Sequence, residues 1–495
     1  MPLKKTYLVA QGFLGIVLMK AKVLDSFPLY STRIFIIMMS LFRKKPTEHP
    51  AVDSGLKRCL SAFDLTLIGI SAMVGGGIFV LIGITSATTA GPAVMLSFVV
   101  AGIACSFAAL SYAELSTCIG GSGSAYGYAY AGLGELIAWI IGWDLLLQYA
   151  IGACAISIGW SGYFIDALRT LGIHVPVYLT TSYFEGGFVN LFAMIIILLL
   201  SSILTLGVKN SARFNTSIVF VKLAVIALFM ITAAFNLKTN HWHPFMPFGF
   251  QGVIEGAALV FFAFLGFDAV STAADEAINP QRDLAIGTIA TLVICTLLYI
   301  LMSALLTGIT PYTALNVKSP VADSILNLGY PWIANIIAVG AVIGMTSGTL
   351  ILIYGLTRVI YSMSKDGLLP GSFSKISTKT HTPLRIISVC GISLALMAGF
   401  LPLMAVAELV NLGTMAAFAM VCLITLCLRY TKPDLPRPFR TPFCPFVPLL
   451  GAASCIYLMT NLSKLAWIRF MVWMAIGIVV YFCYGYSHSK LAKKA

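Results

Sequence analysis

The stretch Phe261-Phe262-Ala263-Phe264-Leu265-Gly266-Phe267-Asp268-Ala269-Val270-Ser271 decides how this chain is read. Apolar residues run unbroken to Gly266, and a carboxylate follows two positions later in the same hydrophobic run. A glycine costs a helix interior up to about 1 kcal/mol relative to alanine. An acid inside hydrocarbon is expensive and rare. A second stretch far upstream has the same character. Gly69-Ile70-Ser71-Ala72-Met73-Val74-Gly75-Gly76-Gly77-Ile78-Phe79 sets three consecutive glycines near the middle of another apolar run. Three glycines can let the backbone leave helical geometry. The freed N–H and C=O groups are costly in lipid unless a cavity or a ligand satisfies them. The alternative is a close helix–helix contact through small residues.

The rest of the chain supplies the setting. Of 495 residues 59% are hydrophobic and 10% charged, against about 25% charged in a soluble domain. Such a chain cannot clothe a soluble core of this size, so the bilayer is the expected solvent. Twelve apolar spans are predicted, near 63–88, 93–118, 135–168, 188–207, 213–235, 252–275, 285–309, 331–358, 383–401, 404–428, 445–463 and 467–487. The net charge of +13 sits in the loops and tails between them. With the N-terminus inside, 25 of the 31 lysines and arginines fall in cytoplasmic segments. That bias is the positive-inside pattern, and it places both termini in the cytoplasm. It argues against nucleic acid as a partner.

The two glycine-marked runs are the first and sixth spans, each the first of a set of five. Interrupted helices at matching positions of two repeats point to a transporter's midplane site. Half-helix N-termini offer N–H donors and a positive dipole end to a carboxylate, and half-helix C-termini offer carbonyls to an ammonium. An α-amino acid carries both groups. Lys222 stands deep in span 5, within Phe220-Val221-Lys222-Leu223-Ala224. A lysine at that depth is expensive and usually functional. Low dielectric disfavours its charged form, which makes it a candidate proton carrier. The alternatives are a structural ammonium bonded to backbone carbonyls, or an ammonium that replaces a bound sodium ion. Asp268 is read either as a coupling group or as a pin for the broken helix. Glu114 lies near a span end, where a solvated or loop-pairing role is expected. Asp144 and Glu408 are expected to bond neighbouring helices.

The eleven cysteines lie mostly inside apolar runs with no CxxC pair, as small buried hydrophobes do. The six histidines fall outside the spans, and His241 and His243 flank Trp242 in a loop. No metal and no cofactor is expected. No HExxH and no intramembrane histidine pair appears, and Ser71 has no evident base partner, so an enzyme is not the reading. A channel filter is not visible either. The segment before Met39 is read as an over-called start, with an interfacial helix as the alternative.

Phe262-Ala263-Phe264-Leu265-Gly266-Phe267-Asp268-Ala269-Val270-Ser271-Thr272-Ala273-Ala274-Asp275-Glu276, with Asn279-Pro280-Gln281-Arg282-Asp283, closely resembles the cationic amino acid transporter family. That family belongs to the amino acid–polyamine–organocation superfamily. Val74-Gly75-Gly76-Gly77-Ile78-Phe79, Gly123-Ser124-Ala125-Tyr126 and the block Arg358 to Pro370 look like family blocks, and the resemblance runs from about Met39 onward. It implies an all-α membrane protein with a LeuT-like five-plus-five inverted repeat and two extra C-terminal helices. The corresponding division is 1–62 cytoplasmic segment, 63–428 transport core, 429–487 extra helices and 488–495 cytoplasmic tail. It implies a substrate carboxylate on the amides of Gly75, Gly76 and Gly77. It implies the substrate ammonium on carbonyls of Met73, Phe262, Ala263 and Leu265. Lys222 matches the family's span 5 lysine, which stands in for sodium and suits proton coupling.

The chain departs from the family at several places. Gly76 stands where a hydroxyl residue is frequent, and Gln148 where glutamate is common. Gly120 and Leu356 replace the usual proline and glutamine, and Ala285 replaces a proline. The expected function is secondary amino acid transport in the plasma (inner) membrane, with a proton as coupling ion through Lys222 and Asp268. Exchange without proton coupling and an amino acid sensor are the alternatives.

Overall fold

A computed structural model describes residues 43–45, 60–119, 124–170, 172–205, 211–272, 277–377 and 382–492. The expected start at Met39, the departure at Gly120 and the Asp275-Glu276 pair lie outside these residues. The described chain is helical, and no strand occurs among the described residues beyond two isolated bridges.

The first element, α1 (Ala62–Met73), opens on a reciprocal cap. The Asp64 N–H donates to the Ser61 side chain, and the Ser61 N–H donates to Asp64 Oδ2 at 2.9 Å. Each satisfies a donor that the helix start would leave bare. α1 stops at Val74, whose ψ of 95° is extended. A wide-turn helical run resumes at Gly77 and continues to Ala90. Gly91, at φ +62°, turns the chain into α2 (Val94–Cys118). Then come α3 (Ser124–Gly132), α4 (Glu135–Thr170), α5 (Leu191–Thr205) and α6 (Ser211–Phe235).

The second half begins with α7 (Gly249–Val260), which tightens into a 3-10 turn at Phe261–Phe264. The chain is extended at Leu265, and helix returns as the short α8 (Ala269–Thr272). It continues as α9 (Pro280–Ile309), α10 (Pro320–Asn327), α11 (Pro331–Lys365) and α12 (Leu384–Phe400). The last elements are α13 (Leu403–Thr431), α14 (Phe446–Met459) and α15 (Lys464–Val480).

Seven helical stretches among the described residues are long and apolar enough to cross a membrane. Five shorter apolar helices accompany them, among them α1 and the stretch Gly249–Phe264 that contains the first half of span 6. α4 has 36 residues, about 54 Å of helix against a hydrocarbon core of about 30 Å. It therefore tilts or projects beyond the core.

Both described ends of the chain meet at one end of the bundle. The Lys45 ammonium pairs with Asp366 at 3.2 Å, and Tyr126 OH donates to the same carboxylate. The Lys490 N–H donates to the Asp366 carbonyl. Glu135, at the start of α4, accepts from Tyr130 OH, Tyr481 OH and Ser489 Oγ. Glu114 is buried here and takes the loop-pairing role rather than the solvated one. It accepts from Arg429 at 2.6 and 2.8 Å, from the Thr441 N–H at 2.8 Å, and pairs with Arg437. Glu408 accepts from Ser463 Oγ at the cap of α15, a bond between neighbouring helices. Asp144 differs from expectation: its Oδ1 is buried and has no hydrogen-bond partner.

At the opposite end, α10 lies over a cavity of about 500 Å³ lined by Asp166, Arg169, Asp323 and Asn335 among others. Ser319 Oγ donates to Asp166. Burial, and then the neighbouring Asp166, push the Asp323 carboxyl up from 3.8 to about 6, while Ser319 and Arg169 pull it down. The docked α10 therefore favours the protonated acid. That contribution is full below the ordinary value and is lost as pH rises through about 6. Amide exchange in Pro320–Asn327, corrected for intrinsic rates, is expected to be faster at about pH 7 than at about pH 5. Asp323→Asn should remove the difference.

Candidate functional site

The two interrupted helices touch each other. A Cβ built on Gly77 would fall 2.5 Å from Ala263 Cβ and 2.9 Å from its backbone nitrogen. A Cβ on Gly266 would fall 2.7 Å from Ala72 Cβ. Gly266 also has φ +113°, a conformation that an L side chain resists. Gly77 is needed for the close approach of the two backbones, and Gly266 is needed both for that approach and for the break. The Gly75–Gly77 amides open the run 77–90, and the first N–H groups of a helical run have no partner within it.

The carbonyls at the breaks have partners on two other helices. Lys222, on α6, is fully buried and donates to the Ser71 carbonyl at 2.8 Å and to the Val74 carbonyl at 2.9 Å. Its stem lies on α11, where a Cβ at Gly344 would fall 3.1 Å from Lys222 Cγ. An ammonium at the C-terminal end of a half-helix complements the partial negative charge there. Ser71 Oγ also stands 3.5 Å from Ser347 Oγ of α11.

Tyr299, on α9, donates from one hydroxyl to two acceptors, the Met73 carbonyl at 2.9 Å and the Ala263 carbonyl at 2.8 Å. One side chain therefore ties both breaks together. The Phe262 carbonyl accepts from the Leu265 N–H at 3.1 Å. Three of the four expected ammonium acceptors thus already hold one bond, and each carbonyl keeps a second lone pair.

Asp268 accepts from Tyr149 OH of α4 at 2.9 Å, and its own carbonyl accepts from Ser271 Oγ and N–H. The carboxylate is thereby tied to α4 just past the break. The bonds of Lys222 run to α1, so the two groups expected to couple protons anchor different elements.

Ile156 of α4 completes the enclosure. Cβ atoms on Gly75, Gly76 and Gly348 would each contact Ile156, at 3.6, 3.6 and 3.5 Å. A Cβ on Gly76 would also meet the Phe262 ring at 3.6 Å. Met73, Phe262, Ala263 and Leu265 are all buried. The two breaks thus pack against Ile156 of α4, with Gly348 of α11 beside it.

Tyr299, Tyr149 and Ile156 were missed from the sequence. Tyr299 had a signal: a hydroxyl amid Leu297, Leu298, Ile300 and Leu301 must find a partner at membrane depth. Ile156 had none, because an isoleucine in an apolar helix looks like any other.

The amino acid permease family model matches residues 60–482. The chain is 48% identical over 461 residues to the methylthioribose transporter of Bacillus subtilis (strain 168), covering 92% of this chain and 100% of that one. It is 49% identical to the branched-chain amino acid permease BcaP of the same organism, covering 91% and 99%. It is 30% identical to cationic amino acid transporter 4 of Homo sapiens, covering 92% and 91%. The chain belongs to the amino acid permease family of the amino acid–polyamine–organocation superfamily.

Proposed function

We propose that this protein is a proton-coupled symporter of α-amino acids that works by alternating access. Membership of the permease family supports amino acid transport; proton coupling and the assignment of the site are the proposal. The substrate carboxylate would sit on the amides of Gly75, Gly76 and Gly77. Its ammonium would sit on the free lone pairs of the Met73, Phe262, Ala263 and Leu265 carbonyls. The observation that carries the reading is the Lys222 ammonium seated on two carbonyls of the α1 break. Proton loss there removes the cation that holds the break, so protonation and break geometry are linked.

The five-plus-five repeat would pair α1 and the run 77–90 with α7 and α8, within twelve crossings. An even number of crossings fits the meeting of both described ends at one face, and the lysine–arginine bias supports a cytoplasmic face there. The wall formed by Ile156, Phe262 and Leu265 carries no charge, which favours a neutral, apolar substrate side chain.

Uptake into proteoliposomes, with and without an imposed pH gradient, tests the coupling. The panel is the common amino acids plus methylthioribose. A symporter accumulates substrate only with the gradient. Uptake indifferent to the gradient but stimulated by internal substrate means exchange, and binding without flux means a sensor.

Two variants refine the site. Tyr299→Phe leaves two buried carbonyls without their donor, at about 1–3 kcal/mol. Substrate affinity should fall about tenfold, read by substrate-dependent thermal shift. Ile156→Ala should shift preference toward bulkier side chains by about tenfold or more, since it removes three carbons and a single methylene of pocket is worth about tenfold. Competition between small and large substrates measures it.

A further inference from the structure

The seam between α4 and α13 holds a group that the site above does not use. Asp144 Oδ1 and both amide atoms of Gln148 are buried without a hydrogen-bond partner. The two side chains stand one turn apart on the same face of α4, and they do not bond each other in this structure. Opposite them is Gly413 of α13, where a Cβ would fall 2.8 Å from Asp144 Oδ1 and 3.9 Å from Gln148 Cβ. The carboxyl therefore lies against bare α13 backbone.

An ionised carboxylate at membrane depth needs a cation or several donors. No ion pair to Asp144 occurs among the described residues. Several charged groups of the helices packed on α4 are engaged elsewhere, and on α3 the Tyr128 hydroxyl is buried without a hydrogen-bond partner. On α13, Glu408 is bonded to Ser463 and Arg429 to Glu114. On α11, Arg358 stacks on Tyr354 and Lys222 is held by α1 where it meets that helix. On α4 itself, Glu135 is bonded to Tyr481 and Tyr149 to Asp268. Lys464 and Arg469 of α15, Arg385 of α12, and Asp166 and Arg169 at the far end of α4 form no bond with Asp144.

We propose that Asp144 is a second proton-carrying group of the transport cycle, with Gln148 as its partner in both charge states. As the acid, the Asp144 O–H donates to Gln148 Oε1. When the O–H bond breaks, the electron pair stays on the carboxylate and the proton passes to water. The carboxylate then accepts from the Gln148 amide N–H. An amide is both donor and acceptor, so it can serve both states where a carboxylate or an apolar residue cannot. Opening of the α4–α13 seam past Gly413 is the step that admits water to the pair.

The inference rests on proton-coupled transport, and the test separates the two. Reconstituted full-length protein is loaded at a series of pH gradients and the steady-state accumulation ratio of its best substrate is measured. Each coupled proton multiplies that ratio by about ten per pH unit. Asp144→Asn, which copies the neutral acid, should lower the slope by one proton per substrate, and Asp144→Glu should restore it. Substrate-dependent thermal shift confirms that each variant is folded. If Asp144→Asn does not fold, Gln148→Leu carries the test, because the acid then has no partner after ionisation and the slope falls likewise. A wild-type slope in the folded variants overturns the Asp144 assignment alone. A wild-type protein with no slope overturns it together with proton coupling.

Discussion

Lys222→Ala is expected to lose about 100-fold or more of pH-gradient-driven uptake. The ammonium makes two charge-assisted hydrogen bonds to the α1 break, at 2.8 and 2.9 Å. Each bond of that class is worth about 1.5–3 kcal/mol. Alanine removes both, leaves two buried carbonyls bare, and opens a void against Gly344. A loss of about 3 kcal/mol in the competent geometry is about 100-fold in population. Lys222→Arg makes the complementary case. Its guanidinium keeps its charge at every accessible pH, so any uptake it retains should no longer respond to the gradient. Initial rates in proteoliposomes, with and without the gradient, decide both. Gradient-driven uptake at the wild-type rate in Lys222→Ala would remove the lysine from the coupling scheme.

Gly77→Ala and Gly266→Ala should each abolish transport. At Gly77 the new methyl meets Ala263 Cβ at 2.5 Å and its nitrogen at 2.9 Å, and backbone cannot swing aside as a flexible side chain would. Overpacking of this kind costs about 1–3 kcal/mol. At Gly266 the strain of φ +113° adds to a contact with Ala72. Either change pushes the two breaks apart, so the proposed carboxylate and ammonium sites no longer face a common point. Gly127→Ala, on α3 with nothing within 4 Å of the added carbon, should behave as wild type. Equal uptake by Gly77→Ala and Gly127→Ala would mean that contact between the breaks is immaterial.

The breaks were legible because glycine and aspartate are conspicuous against hydrocarbon-compatible residues. The run ends at Val74 and the second break at Leu265 both fall within the quoted motifs. Hydropathy sets span 3 at 135–168 and α4 runs Glu135–Thr170; it sets span 8 at 331–358 and α11 continues to Lys365. The extra length mixes apolar and polar residues, as in Val359-Ile360-Tyr361-Ser362-Met363-Ser364-Lys365, so mean hydropathy falls off before the helix ends. Lys222 announced itself by depth, but its acceptors did not, since Ser71 and Val74 contribute only main-chain carbonyls. Tyr299 and Tyr149 were hidden for the converse reason. Their rings suit an apolar helix, and their hydroxyl partners are 226 and 119 residues away in sequence, at Met73 and Asp268. Periodicity reports which face of a helix is buried, not which distant group it meets there.

The docking of Ser489 on Glu135 and of Lys490 on Asp366 has a practical corollary for anyone handling this molecule. Those bonds bridge the first turn of one long helix and the last turn of another. A bulky reporter fused directly after Lys490 would tug on both at once, and a version shortened ahead of Gly485 would forfeit both ties. A well-behaved detergent preparation therefore starts from an intact tail with a pliant spacer before any purification handle.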